Sequence, residues 1–159
     1  MDDDWLVHGV PSVILEVPVH LVPAEEMVWS KAFVMERERY DGADIAHILR
    51  KSGGDFDWVR LIRRFGSQSA VLLSHLVLFQ FIYPGHRDTV PEWVMDELWH
   101  RHRTIEPLPE RLCRGTLISR EQYLSDVNER GYVDARTMPH GRMTPDQIHE
   151  WTTAIAADK

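Results

Sequence analysis

Hydrophobic and polar positions divide the chain into a short β-type opening and a long helical remainder. From Val13 to Val22 the run Val-Ile-Leu-Glu-Val-Pro-Val-His-Leu-Val is β-branched and short, which predicts a tight hairpin turning near Glu16-Val17. A two-stranded hairpin is marginal by itself in water, so it needs helices over it or further strands beside it. Beyond it, apolar residues recur at helical spacing. Pro23 predicts the first turn of a helix reaching Arg39, with Glu25 and Glu26 at the positive end of its dipole. Asp41 as N-cap predicts a second helix from Ala43 to Lys51, stopped by Gly53-Gly54. Asp57 caps a third, from Trp58 to Phe65, and Gly66 ends it. The segment from Ser69 to Tyr83 is apolar nearly all round, which predicts the central helix of the core. Pro84-Gly85 breaks it, and another helix runs from Pro91 to His102.

From Thr104 to Leu112 the chain carries Pro107 and Pro109 and reads as a linker. Two capping boxes follow. Ser119 with Gln122 opens a helix that Gly131 ends, and Thr144-Pro145 with Gln147 opens the last one. The expected organisation is a helical domain with an N-terminal hairpin over 1–103, a linker over 104–118 and a helical appendage over 119–159. The fold class expected is mainly α with a short N-terminal β-hairpin.

Composition narrows the function classes. A chain of 159 residues with 43% hydrophobic and 27% charged residues suits one soluble globular domain with a small appendage. A net charge of -7 argues against a general nucleic-acid binder. The single cysteine, Cys113, rules out an internal disulfide and a cysteine-built zinc site, and fits a reducing cytoplasm. The acidic start Met1-Asp-Asp-Asp-Trp does not read as a secretory signal. The longest apolar stretch is interrupted by Ser74, His75 and Gln80 and falls short of the roughly 20 residues a bilayer requires. A cytoplasmic protein with no membrane partner is the expectation.

The candidate chemistry centres on Lys31. On a helical wheel Met27, Val28, Ala32, Val34 and Met35 form one arc, and Lys31 lies inside it. A lysine there must snorkel, find a carboxylate or face a cavity. Arg37, Arg39, Asp41 and Asp44 follow closely, so cations and carboxylates gather at one end of a helix pair.

Pro23-x-Glu25-Glu26-Met27-x-x-x-Lys31-Ala32, then Arg37, then Asp41-x-x-Asp44-Ile45-x-x-Ile48-Leu49, resembles the helical half of nucleotidyltransferase-fold proteins of the minimal and abortive-infection types. The likeness continues through Trp58-x-x-Leu61-x-x-Arg64-Phe65 to Tyr83-Pro84-Gly85, covering residues 11–100 or so. Tyr40 stands where such proteins carry a lysine. The resemblance implies the C-terminal part of an α+β nucleotidyltransferase fold. Lys31 would contact the nucleotide's phosphates, with Arg37 and Arg39 nearby and Asp41 and Asp44 supporting the helix pair. It also implies NTP and Mg²⁺, and transfer of a nucleoside monophosphate.

That chemistry needs carboxylates that hold metal ions against the attacking and leaving oxygens. The family draws them from a Gly-Gly or Gly-Ser turn and an Asp-x-Asp strand that do not appear here. Gly53-Gly54-Asp55-Phe56-Asp57 imitates the pattern without the intervening helix, and Asp57 reads as a helix cap. Asp2-Asp3-Asp4 is a poor metal cage, being consecutive acids at a terminus. The chain is therefore expected to be inactive alone, as a truncated, split or degenerate transferase. The alternative is a non-catalytic helical interaction module. Its hairpin from Val13 to Val22 would pair with a partner or a second copy. Arg60, Arg63 and Arg64 form a basic stripe that reads as a solvated face paired with Asp55 or Asp57.

Overall fold

The computed structural model describes Asp4–Ala157; the acidic residues Asp2 and Asp3 lie outside this range. The protein is mostly helical with a small antiparallel hairpin near its N-terminus. It forms two compact units. One comprises the residues up to Ala32 together with Asp41–Ile105, and the other comprises Phe33–Tyr40 together with the residues from Glu106 onward.

The first unit opens with a single turn, α1 (Asp4–Val7), and the hairpin β1 (Val10–Ile14) and β2 (Val17–Leu21). The register pairs Ile14 with Val17, Val13 with Pro18, Ser12 with Val19 and Pro11 with His20. The turn is therefore Leu15-Glu16, one position earlier than the sequence pattern suggests, and both residues adopt left-handed φ values of 49° and 68°. Those values match a type I′ turn, whose twist suits the strands but favours Asn and Gly. Proline has no N–H, so Pro11 and Pro18 occupy non-hydrogen-bonded pairs and face the two outer edges. Val13 and His20 keep the remaining outward N–H groups, one per edge.

Every hairpin position is exposed or half-exposed. Val10, Ile14, Val17 and Leu21 lie together on one face, and all four are exposed.

Five helices follow: α2 (Ala24–Ala32), α3 (Gly42–Ser52), α4 (Trp58–Phe65), α5 (Ser69–Ile82) and α6 (Glu92–Arg103). α5 packs on each of the other four. Its Leu72, Leu76 and Phe79 are fully buried, each worth roughly 1.5–3 kcal/mol of apolar burial. The helix is not enclosed all round, because Val77, Leu78, Phe81 and Ile82 line an opposite face and remain exposed.

The run Trp58–Ile82 is long and apolar enough by composition to cross a membrane. Gly66, at φ 50°, divides it into α4 and α5, which pack against one another. Asp57 caps α4 by accepting from the Arg60 N–H at 2.9 Å. Gly53 is required by a close approach, since a Cβ there would stand 2.6 Å from the Thr89 methyl carbon.

α2 stops at Ala32 rather than reaching Arg39. The next residues belong to the other unit, where the Met35 N–H donates to the Ile118 carbonyl and Met35 bridges to Tyr40. Tertiary hydrogen bonds override the helical pattern. Val34 and Met35 are accordingly off the Lys31 helix. The buried His75 Nε2 lies 3.1 Å from the Ala32 carbonyl and donates to it, which fixes the end of α2.

The second unit holds α7 (Arg120–Asn128), α8 (Pro145–Ala157) and a parallel pair of two-residue strands, β3 (Leu112–Cys113) and β4 (Val133–Asp134). Ser119 accepts from the Gln122 N–H, and Thr144 and Gln147 cap α8 reciprocally. Glu36 reaches α7 from a distant part of the sequence. Its carboxylate accepts from Ser119 Oγ at 2.6 Å and from the Arg120 N–H at 2.8 Å.

Two measurements test these features. Replacing Leu15-Glu16 by Asn-Gly should stabilise the hairpin by about 0.5–1 kcal/mol, seen as slower amide exchange in β1 and β2. Burial lowers the His75 pKa below its ordinary 6.5, although the bond to Ala32 opposes the shift. The unfolded chain therefore takes up this proton first. Stability should be full above pH 6.5 and fall as pH drops below it, with a shallower fall in His75→Gln by urea titration.

Candidate functional site

Lys31 lies in the last turn of α2, and Asp44 in the first turn of α3. Each charge complements the helix end that carries it. The Lys31 ammonium sits 3.0 Å from Asp41 Oδ2 and 2.7 Å from Asp44 Oδ2. The Lys31 side chain is 23% exposed, Asp41 12% and Asp44 56%, so the cluster opens to solvent on its Asp44 side. Hydrogen bonds to Asp44 first and Asp41 second raise the Lys31 pKa against the lowering effect of burial. Lys31 is thus a fixed cation at neutral pH. Two of its N–H donors are engaged, and an ammonium has three. Asp41 precedes α3 without capping it through its side chain, because the carboxylate turns to Lys31.

The structure gathers Lys31, Asp41 and Asp44, which belong to the first unit, while Arg37 and Arg39 belong to the second. Arg37 is 82% exposed and pairs loosely with Glu38 at 3.5 Å. Arg39 lines a cleft of the second unit with Glu36, Arg120 and Arg136. The two carboxylate oxygens near Lys31 are already held by its ammonium, so this trio does not fit a Mg²⁺ ion of its own.

The arginines of α4 have partners that the sequence pattern does not name. Arg60 pairs with Glu25 at 2.8 Å and Glu26 at 2.7 Å, and Arg64 pairs with Glu26 at 3.0 Å. The Arg64 guanidinium also lies 4.2 Å from the centroid of the Trp29 ring. Glu26 is only 5% exposed, so these pairs join α2 to α4 from inside. Arg60 and Arg64 are consequently not a solvated face paired with Asp55 or Asp57. The available signal was Glu25-Glu26 beside the apolar positions of α2 and the four-residue spacing of Arg60 and Arg64.

A second buried pair lies in the other unit. Asp134 and Arg136 are both about 6% exposed and join through a 2.7 Å Nη2–Oδ2 contact, with Nε also on the carboxylate. Burial by itself would raise the Asp134 pKa. The Arg136 side chain and amide and the Thr116 hydroxyl outweigh it, leaving the pKa lowered. Among the described residues no group of three or more His, Cys, Asp or Glu side chains could hold a metal ion. No family model, curated protein or solved structure matches this chain.

Removing the Lys31 charge leaves two neighbouring carboxylates facing one another, one of them largely buried. Lys31→Met should destabilise the first unit by about 1–2 kcal/mol in chemical denaturation. The wild-type contribution should be complete below the ordinary lysine pKa of 10.5 and disappear as pH rises beyond it, because the folded pKa is the higher one.

Proposed function

We propose that this chain is the helical part of a nucleotidyltransferase-like α+β protein, with Lys31 as its contact to a nucleotide's phosphates. The observation that carries the reading is the oriented Lys31 ammonium, held by two carboxylates with a third N–H donor still available on a partly open side chain. A compact cation of this kind suits a phosphate oxygen. With both aspartates ionised the trio sums to -1, from one lysine and two carboxylates. A bare triphosphate gains little there, so the nucleotide would arrive with Mg²⁺ on its own phosphates.

The resemblance around Lys31 and the Asp41-x-x-Asp44 junction supports this reading. The exposed apolar face of the hairpin supports it too, since an α+β fold would lay further chain over that face. The reading rests on Lys31; Arg37 and Arg39, which the resemblance places nearby, lie in the segment that belongs to the other unit. The carboxylates for transfer chemistry would come from elsewhere, and the chain alone would bind weakly without turnover.

A second reading, a non-catalytic interaction module, is favoured by the exposure of Val10, Ile14, Val17 and Leu21 on one hairpin face. Pro11 and Pro18 shift its mode from strand pairing toward contact through side chains, because each edge keeps one outward N–H.

Calorimetry with Mg·ATP tests the leading reading. The expected result is a Kd above about 0.1 mM, loss of binding in Lys31→Ala, and no turnover. Binding that survives Lys31→Ala, turnover by the chain alone, or no heat at millimolar nucleotide would each overturn it.

A further inference from the structure

The second unit contains a cleft of about 440 Å³, within the range of small-molecule sites. Its walls are apolar where Phe33, Ile118 and Trp151 line it, and three guanidinium-bearing side chains, Arg39, Arg120 and Arg136, line it as well. This concentration of arginine stands out in a chain whose net charge is -7.

Arg136 supplies the sharpest observation. Its side chain is only 5% exposed, and Nε and Nη2 are bound to Asp134. Nη1 is buried with no hydrogen-bond partner. A buried charged donor left without an acceptor carries a desolvation cost. Arg136 lines the cleft, and an oxyanion that reached Nη1 from there would supply the missing acceptor.

Asp134 offsets Arg136, and Glu36 is the carboxylate lining the cleft. Both Glu36 oxygens already accept hydrogen bonds, from Ser119 Oγ and the Arg120 amide. The Arg120 guanidinium lies 5.7 Å from the Trp151 ring centroid, so cation and aromatic surface meet at one place.

From the unspent Arg136 donor, the flanking arginines and the aromatic wall we infer that this cleft binds a small organic oxyanion carried on a flat ring. The oxyanion faces the guanidinium groups, and the ring lies against Trp151 and Phe33. Phosphate and carboxylate share this chemistry, because either accepts from an arginine fork. Lys31 is not among the residues that line this cleft.

Calorimetry without Mg²⁺, at matched ionic strength, tests the inference with three probes: adenosine 5′-monophosphate, indole-3-acetate and inorganic phosphate. At least one ring-bearing probe should bind with a Kd below about 1 mM, and inorganic phosphate at least about tenfold more weakly. The tighter of the two ring-bearing probes identifies the head group. Arg39→Gln and Arg120→Gln should each weaken binding roughly tenfold. Arg136→Lys keeps a cation beside Asp134 but removes Nη1, and should also lose binding with an unchanged circular dichroism spectrum. The inference is overturned if neither ring-bearing probe binds below about 1 mM, or if inorganic phosphate binds as tightly. It is equally overturned if binding is indifferent to Arg39→Gln and Arg120→Gln. Failure here would leave the Lys31 reading standing, and failure of that reading would leave this one standing.

Discussion

The chain leaves the first unit after Ala32 and returns at Asp41, and much of the structure depends on how those two points are held. Ordering a connecting segment costs about 1–2 kcal/mol of backbone entropy per residue, so its ends must be fixed by contacts strong enough to offset that cost. His75 binds the Ala32 carbonyl from inside the core, and Lys31 grips Asp41 and Asp44 across the opening. Phe33–Tyr40 itself belongs to the second unit. Glu36 caps α7, the Met35 amide binds Ile118, and Arg39 joins the cleft. Lys31 is therefore a structural clamp whatever ligand its remaining donor takes.

Local signals were legible where local chemistry decides. Asp57, Ser119 and Thr144 cap the helices that their sequence context announces, because an N-cap needs only a side-chain oxygen and a nearby N–H. Gly66 ends α4 because its left-handed φ favours a residue without a Cβ. The hairpin was legible as a hairpin, yet its turn falls one residue early, since β-branched residues on both sides leave the register weakly marked. The end of α2 was not legible. Nothing near Ala32 stops a helix, and the bonds that redirect the chain come from far along the sequence, His75 to the Ala32 carbonyl and the Met35 N–H to Ile118.

The candidate site shows the same division. Lys31 finding a carboxylate could be foreseen, because an apolar arc forces a lysine to be satisfied somehow. That Arg37 and Arg39 lie off the Lys31 helix could not, because helical continuation through Arg39 was the simplest extrapolation. The Arg60 and Arg64 pairs with Glu25 and Glu26 join positions more than thirty residues apart. Charge patterning sees neighbours on one helix and not the helix packed opposite. Arg136 lacked any prior signal, since its significance lies in one nitrogen that finds no acceptor.

The proline placement in the hairpin has a consequence for assembly. A strand edge with regular outward donors can pass its hydrogen-bond pattern from one molecule to the next, so association through it is open-ended. Pro11 and Pro18 interrupt that pattern on both sides while leaving the apolar face intact. A partner that bound through this face would be limited by its area and shape, and binding would stop once that area was covered. An edge interrupted in this way offers no regular hydrogen-bond pattern for one molecule to pass to the next.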